Sequence, residues 1–537
     1  MNETLQYLKM FAQFPFALRR FARNAMAPEK AAAIVRQKLD TRAESLRQML
    51  AAGVFAHQAS PYLALFRNAR CEFGDVEHLL RDKSVDDALE DLRAAGIYLR
   101  LEEFKGREPI VRGGLELPVK ARDFDNPAAR RHFTVRTGGS TGLPTLVSQD
   151  LDHVVEKAPL QMLHLQAYDL SGVPAAHWMH ILPGSGFRFL MHRAYLREPS
   201  ERWFSSLGWR EHREWPRFTA ATFYMTTAAR FAGLDIPFPE FVPLDQALVV
   251  ARWMSETARR AGKCMLATNV SHAMRACIAA RDDGLDLSGV TLRIGGEPVT
   301  EAKSSFMTSL GANVIGGYGM VESGNIGLGC PNGVSSDDVH LAMDSMALIT
   351  APAQVGSTGI TVPSFLLTTL AASSGKLMLN LQVDDCGVVE RRRCGCLLGE
   401  NGLDIHLRDI RSYTKLVGEG VTLMGQDMVK ILEEVLPSRF GGSSLDYQLL
   451  EEEDENGLTR LFLIISPRVS IPDEGRVVQV LHEALAHSSA AGGFASAVWS
   501  QGDTIRVRRT EPVWTARGKL MPLHVERYRN TVSPNGS

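Results

Sequence analysis

The fold turns on the stretch Thr137-Gly138-Gly139-Ser140-Thr141-Gly142-Leu143-Pro144-Thr145, in which glycine and hydroxyl residues stand side by side. A loop of this composition suits backbone N–H groups wrapped around a nucleotide's phosphates. Such clusters are also ordinary turns, so the loop takes its meaning from its surroundings. It is not a Walker loop, because no Lys follows the last glycine at the required spacing. From about 130 to 400, short β-rich runs alternate with helical ones. Trp178–Leu182 precedes Gly184, Leu244–Ala261 reads as a helix, and Val290–Ile294 precedes Gly295-Gly296. Glu301–Leu310 then reads as a helix and Asn313–Ile315 precedes Gly316-Gly317. This alternation, with glycine at strand ends, predicts an α/β domain whose ligands sit at the carboxyl ends of its strands.

Upstream, residues 1 to about 100 read as helices, with periodic runs at Ala31–Ala52, Val76–Leu80 and Val85–Ala95. The segment Met1–Met26 carries apolar residues (Leu5, Leu8, Phe11, Phe14, Phe16, Leu18, Phe21) and a basic group (Arg19, Arg20, Arg23). Its apolar part falls short of the ~20 residues of a membrane span, and its charges follow the apolar part where a signal peptide's would precede it. A helix docked on the protein body is expected, with a membrane-surface helix as the rival reading. Downstream, a second unit begins near Arg411. Met424–Leu436 and Arg476–Ala486 read as helices, and Tyr447–Glu451 and Arg460–Ser466 as strands joined by the acidic turn Glu452–Gly457. The expected organisation is a large domain over 1–410, with a helical N-terminal region to about 130, and a small α+β lid domain over 411–537.

A chain of 537 residues is long enough for roughly two to four domains. Its 45% hydrophobic and 22% charged content is that of a globular protein. Lys plus Arg (59) nearly balances Asp plus Glu (61), so no global basic field draws nucleic acid. The 7 cysteines, an odd number, do not read as a secreted disulfide framework, and a cytoplasmic location is expected.

Further glycine-bearing segments follow the 137–142 loop in a fixed order. They are Gly295-Gly296-Glu297-Pro298, Gly316-Gly317-Tyr318-Gly319-Met320-Val321-Glu322, Val383-Asp384-Asp385-Cys386-Gly387 and Thr515-Ala516-Arg517-Gly518-Lys519-Leu520. Each has a chemical reading beside a bland one. Tyr318 between glycines can stack on a base or simply fill core. Glu322 is a hard oxygen ligand suited to Mg²⁺ or a solvent-facing carboxylate. Asp385, once ionised, can accept hydrogen bonds from two hydroxyls. Lys519 after Gly518 is a mobile ammonium or an exposed surface Lys.

Together these segments resemble the ANL adenylate-forming superfamily, and within it the phenylacetate-CoA ligase-like branch, over about 130 to 522. The resemblance implies that Thr137, Gly138, Gly139, Ser140, Thr141 and Gly142 hold the β- and γ-phosphates of ATP. It implies a nucleotide site completed by Gly296, Glu297, Pro298, Gly317, Tyr318, Gly319 and Met320, with Asp385 on the ribose hydroxyls and Glu322 on Mg²⁺. Lys519 would be catalytic, its ammonium offsetting the repulsion between carboxylate and α-phosphate. An Arg near the start of the small domain contacts the ribose in the family; Arg408 and Arg411 both qualify, and Arg411 is the preferred assignment. Some members of the branch hold zinc with a Cys and a His after the YGxxE loop and a later C-x-C. Cys330, His340, Cys394 and Cys396 stand in that order, a closed set suited to structural Zn²⁺. Cys386 lies close enough in sequence to compete, whereas Cys71, Cys264 and Cys277 read as inert.

The implied function is ATP-dependent conversion of a carboxylic acid to an acyl-AMP with release of pyrophosphate, then acyl transfer, foremost to the thiol of CoA. A carrier-protein thiol, an amine or another small nucleophile is the alternative acceptor, and a non-catalytic nucleotide-binding scaffold the alternative class. His177, His180, Gly184-Ser185-Gly186 and Phe187 lie where an acid pocket would be lined, and equally suit core or turn. An isologous homodimer is the default for such an enzyme.

Overall fold

The computed structural model describes residues 3–23, 26–136, 146–207, 215–354, 361–412, 416–418, 421–423, 428, 430–443, 445–453, 459–488, 490–513 and 523–525. The 137–142 loop, the tip of the acidic turn at 454–458 and Lys519 lie outside these residues.

One large sheet organises the protein. Its parallel half runs, in spatial order, Asn313–Met320, Val290–Gly295, Cys264–Asn269, Ala175–Trp178, Arg202–Ser205 and Pro239–Phe241. Helices cross between these strands, as the alternation of runs requires. Side chains capture the orphan N–H groups at two helix starts: Asn269 accepts from His272 N (2.7 Å), and Thr300 accepts from Lys303 N (3.4 Å). The expected strand at 178–182 ends at Trp178, because Leu182–Pro183 and Gly184 close a tight turn. The glycine-rich run at 316–320 is the end of a strand and not a loop, with Gly317 paired to Gly295.

The sheet continues antiparallel through Gly324–Gly329, Val339–Leu341, Ile405–Ser412, Leu381–Arg391, Thr361–Thr369 and Met346–Gln354. The short strand Leu99–Arg100 adds in parallel to Leu381–Gln382. Among the described residues a single short helix, Leu397–Glu400, falls between the strands of this half, so helix–strand alternation does not reveal it.

The N-terminal region is helical as expected, with Glu3–Arg23, Ala31–Asp40, Arg42–Leu50, Pro61–Asn68, Phe73–Asp82 and Val85–Ala94. The first of these buries Met10, Phe14, Leu18 and Phe21, spaced three to four residues apart, against the core of the parallel half. Burial of each such side chain stabilises by about 1.5–3 kcal/mol, which explains why this segment docks on the body. Later helices of the region close over the antiparallel half, where Leu46, Leu50 and Leu89 join Leu341, Leu366 and Leu381 in a second core.

Beyond the large sheet, Ile505–Arg509, Thr459–Ile465, Tyr447–Glu453 and Leu523–Val525 form a separate four-stranded sheet, with helices Glu474–Ser488 and Ala490–Gln501. The expected helix from 424 is described at 428 and 430 and continues through Ile431–Val435 and Leu436–Phe440.

Candidate functional site

The carboxyl end of the parallel half gathers the sequence-selected segments that fall within the described residues. Strands Val290–Gly295 and Asn313–Met320 approach closely at their ends: a Cβ on Gly295 would lie 2.8 Å from the Gly317 carbonyl oxygen. Just beyond, Gly296 has φ +80° and turns the chain so that Glu297 is buried. Its Oε2 accepts from Ser271 Oγ (2.5 Å), at the start of the helix that follows Cys264–Asn269. Glu297 is thus a brace between two strand ends, with Pro298 leading toward the next helix.

Tyr318 and Asp385, 67 residues apart in sequence, meet here. Tyr318 Oη donates to Asp385 Oδ2 at 2.8 Å, and the ring stands edge-on to Phe365 with centroids 6.2 Å apart. Burial and the neighbouring Asp385 carboxylate push the Tyr318 hydroxyl well above its ordinary pKa, so it remains a donor. This contact distinguishes Asp385 from its neighbour Asp384, whose backbone carbonyl accepts from Ser412 Oγ at 3.2 Å. Asp385 pairs with Ser412 and Cys386 with Arg411, so the Arg411 backbone lies one register position from Asp385. The Arg411 Nε is buried and has no partner among the described residues. Arg408 is engaged elsewhere, with Asp409 at 3.0 Å and Glu390 at 3.7 Å.

Glu322 occupies the turn after Met320 and is 4% exposed. Its carboxylate is paired with the Lys105 ammonium. Lys105 follows the short helix Leu101–Phe104, itself led in by the strand Leu99–Arg100 on Leu381–Gln382. Lys376, held by Asp125 at 2.6 Å, adds a second cation, and Arg188 reaches the Val321 carbonyl at 3.2 Å. Burial opposes ionisation of Glu322, but Lys105 and then Lys376 more than offset it and hold the carboxyl below its usual range. Burial also lowers Arg188 to about 10, which Glu322 partly counters. With Lys105 on the carboxylate, this arrangement does not fit a divalent cation on Glu322. Lys105 was invisible to motif reading, since 217 residues separate it from Glu322.

Of the pocket candidates, Phe187 is core, packed on Phe14 and Phe133. His177 is fixed by Ser200 Oγ (3.1 Å). His180 lies nearer the strand ends, its Nδ1 3.1 Å from Ser206 Oγ and its ring edge-on to His272 at 5.7 Å. Burial lowers His177, His180 and His272 to about 3, so all three are neutral imidazoles near pH 7.

At the opposite end of strands Asn313–Met320 and Gly324–Gly329, four residues named by the sequence pattern converge. His340 Nε2 lies 3.1 Å from Cys396 Sγ and 3.6 Å from Cys394 Sγ, and the two sulfurs are 3.3 Å apart. Cys330 hydrogen-bonds Cys396, and this bond, then His340, lowers the Cys396 thiol's pKa while that of Cys330 rises. His340 Nδ1 donates to the Leu403 carbonyl (2.6 Å), leaving Nε2 with a lone pair.

Sequence reading missed His406. Strand register pairs it with His340, and its ligating nitrogen lies within 4.8 Å of those of Cys330, His340 and Cys394. His406 Nδ1 donates to Asp338 Oδ1 (2.7 Å), while its buried Nε2 has no partner among the described residues. A carboxylate behind an imidazole is how proteins orient metal-binding histidines. The soft donors and the orphaned Nε2 fit a zinc-type ion. Cys386 does not belong to this group. Burial raises the Cys264 and Cys277 thiols to about 12, in keeping with inert side chains.

No protein-family model matches the sequence, and no curated protein matches it. Solved structures do match by fold. One is 2-hydroxyisobutyryl-CoA ligase in complex with 2-HIB-AMP and CoA in the thioesterification state, at 14% identity and TM-score 0.56, covering 94% of this chain and 92% of that one. The same ligase in an open conformation matches at 13% identity and TM-score 0.43, covering 85% and 89%. An amide bond synthetase from Marinactinospora thermotolerans matches at 12% identity and TM-score 0.41, covering 94% and 97%. At this identity the likeness is one of fold: the chain has the α/β fold of 2-hydroxyisobutyryl-CoA ligase.

Proposed function

We propose that this protein is an adenylate-forming ligase that converts a carboxylic acid to its acyl-AMP and passes the acyl group to the thiol of CoA. The observation that carries the reading is the Tyr318–Asp385 pair at the carboxyl end of the parallel strands, with the Arg411 backbone one register position from Asp385, together with the Glu297 brace. The fold likeness to a ligase crystallised with an acyl adenylate and CoA supports it.

In this reading Tyr318 presents its ring to adenine, and Asp385 accepts the ribose hydroxyls, with Arg411 alongside. The 137–142 loop follows the β- and γ-phosphates. A substrate carboxylate oxygen attacks the α-phosphorus, a P–O bond forms, and the bond to pyrophosphate breaks. Lys519 offsets the anion–anion repulsion of that step. The thiol of CoA, having lost its proton, then attacks the acyl carbon and AMP leaves. Residues from about 411 form the lid that delivers Lys519 and then rotates for the second step. No step is assigned to Mg²⁺ at Glu322, because Lys105 already neutralises that carboxylate. Four of the donors Cys330, His340, Cys394, Cys396 and His406 would hold a structural Zn²⁺ that fixes the strands distant from the chemistry.

Pyrophosphate release across a panel of carboxylic acids, with wild type beside Lys519→Ala, tests the proposal. Release that depends on both an acid and Lys519 supports a ligase. Tight ATP binding with no release for any acid favours a nucleotide-binding scaffold instead. CoA thioester formation, compared with products from amines and carrier proteins, decides the acceptor.

A further inference from the structure

Six aromatic side chains are exposed among the described residues, and they fall in two neighbouring segments: Phe16 in the helix Glu3–Arg23, and Phe223, Tyr224, Phe231, Phe238 and Phe241 between 223 and 241. The segments are in contact. Tyr224 Oη donates to the Phe11 carbonyl (2.8 Å), and their rings meet edge-on at 5.9 Å. Phe223 stacks on Phe238 at 5.4 Å, with the Arg230 guanidinium 5.5 Å from the Phe238 centroid. Phe231, at the end of the helix Trp215–Phe231, is 91% exposed, and Phe16 is 72% exposed. Water-facing phenyl rings gathered in one place mark a surface that binds something.

Charge identifies the partner. Beside Phe231 opens a depression of about 480 Å³ lined by Arg19, Arg23 and Arg197, with Asp235 the acidic residue among its walls. All three arginines are exposed, and among the described residues none makes an ion pair, whereas Arg20 lies 3.9 Å from Asp152. Free guanidiniums flanking protruding phenyl rings complement a surface that is anionic outside and apolar beneath. A second copy related by a two-fold axis would set this cationic patch near itself. The face lies by the N-terminal ends of Arg202–Ser205 and Pro239–Phe241, across the sheet from Tyr318 and Asp385.

We propose that this face, formed by Phe16, Phe231, Arg19, Arg23 and Arg197, docks the protein reversibly on an anionic phospholipid bilayer. The rings enter the headgroup region and the guanidiniums meet lipid phosphates, while the opposite sheet edge remains open to water. Each arginine contributes about fivefold to the affinity, and the attraction fades as salt screens it.

Co-sedimentation of the full chain with phosphatidylcholine vesicles, with and without phosphatidylglycerol, tests this. Binding should require phosphatidylglycerol and weaken with salt. Arg19→Gln with Arg23→Gln should weaken it about thirtyfold. Phe16→Ser with Phe231→Ser should abolish sedimentation with an unchanged circular dichroism spectrum, because both rings are already exposed. Equal binding to neutral vesicles, no binding, or binding indifferent to these substitutions overturns the proposal. So does a dimer in light scattering that dissociates in the Phe variant, which would make this face a contact between copies, or binding of single-stranded RNA in place of vesicles.

Discussion

The two ends of the strand pair Asn313–Met320 and Gly324–Gly329 treat charge in opposite ways. At one end the Glu322 carboxylate is buried and already carries Lys105, with Lys376 nearby. At the other, three thiols and two imidazoles face one another, with the Arg392 guanidinium behind them on Asp338 and His406 Nδ1, and His406 Nε2 has no partner among the described residues. A carboxylate in a motif therefore does not by itself ask for a metal, while a crowd of soft donors with an orphaned nitrogen does. In the proposed reading the first end receives the nucleotide's phosphates and the second is locked by a metal.

The largest effect should come from breaking the ion pair. Lys105→Met leaves Glu322 buried and uncompensated and should cost about 3–5 kcal/mol in urea unfolding. Lys105→Met with Glu322→Gln should recover most of that loss. A double variant as unstable as the single one would show that the pairing is not what matters. The same contact sets a pH dependence. Because the folded-state pKa of Glu322 lies below its unfolded value, its stabilisation is present above the unfolded pKa and is lost as pH falls through the folded one. Acid titration of stability below about pH 4.3 should therefore be shallower in Glu322→Gln than in wild type.

At the other end, His406→Ala or Asp338→Asn should weaken zinc retention by about 10- to 100-fold against a chelator. The acid-dependent release of pyrophosphate should survive at low chelator. Loss of that activity with zinc still bound would contradict the separation of the two ends. Between them, Asp385→Ala should raise the KM for ATP by about 10- to 100-fold, the worth of hydrogen bonds to a charged group. Tyr318→Phe should have the smallest effect, about two- to tenfold, since it keeps the ring and removes only the hydroxyl that orients Asp385. A larger effect of Tyr318→Phe than of Asp385→Ala would reverse their assigned roles.

Much of this was legible in the sequence. Alternating runs with glycine at strand ends gave the parallel half, because helix and strand periods differ there. The antiparallel strands from Met346 to Ser412 escaped because buried strands such as Met346–Gln354 are near-continuous apolar runs without alternation. Spacing marked Cys394 and Cys396, which are sequence neighbours, but not His406, which joins them through its register with His340. Lys105 reaches Glu322 through the strand Leu99–Arg100 on Leu381–Gln382, a pairing no local pattern encodes. Arg411 was preferred to Arg408 from the sequence, and only strand register shows that it pairs with Cys386, next to Asp385.

Exchange of labelled pyrophosphate into ATP tests the central claim most directly, since it reports reversible acyl-AMP formation without regard to the acceptor. The account predicts exchange that requires a carboxylic acid, is abolished in Lys519→Ala, and shows a raised ATP requirement in Asp385→Ala. Exchange without an acid, or unaffected by either substitution, would contradict it.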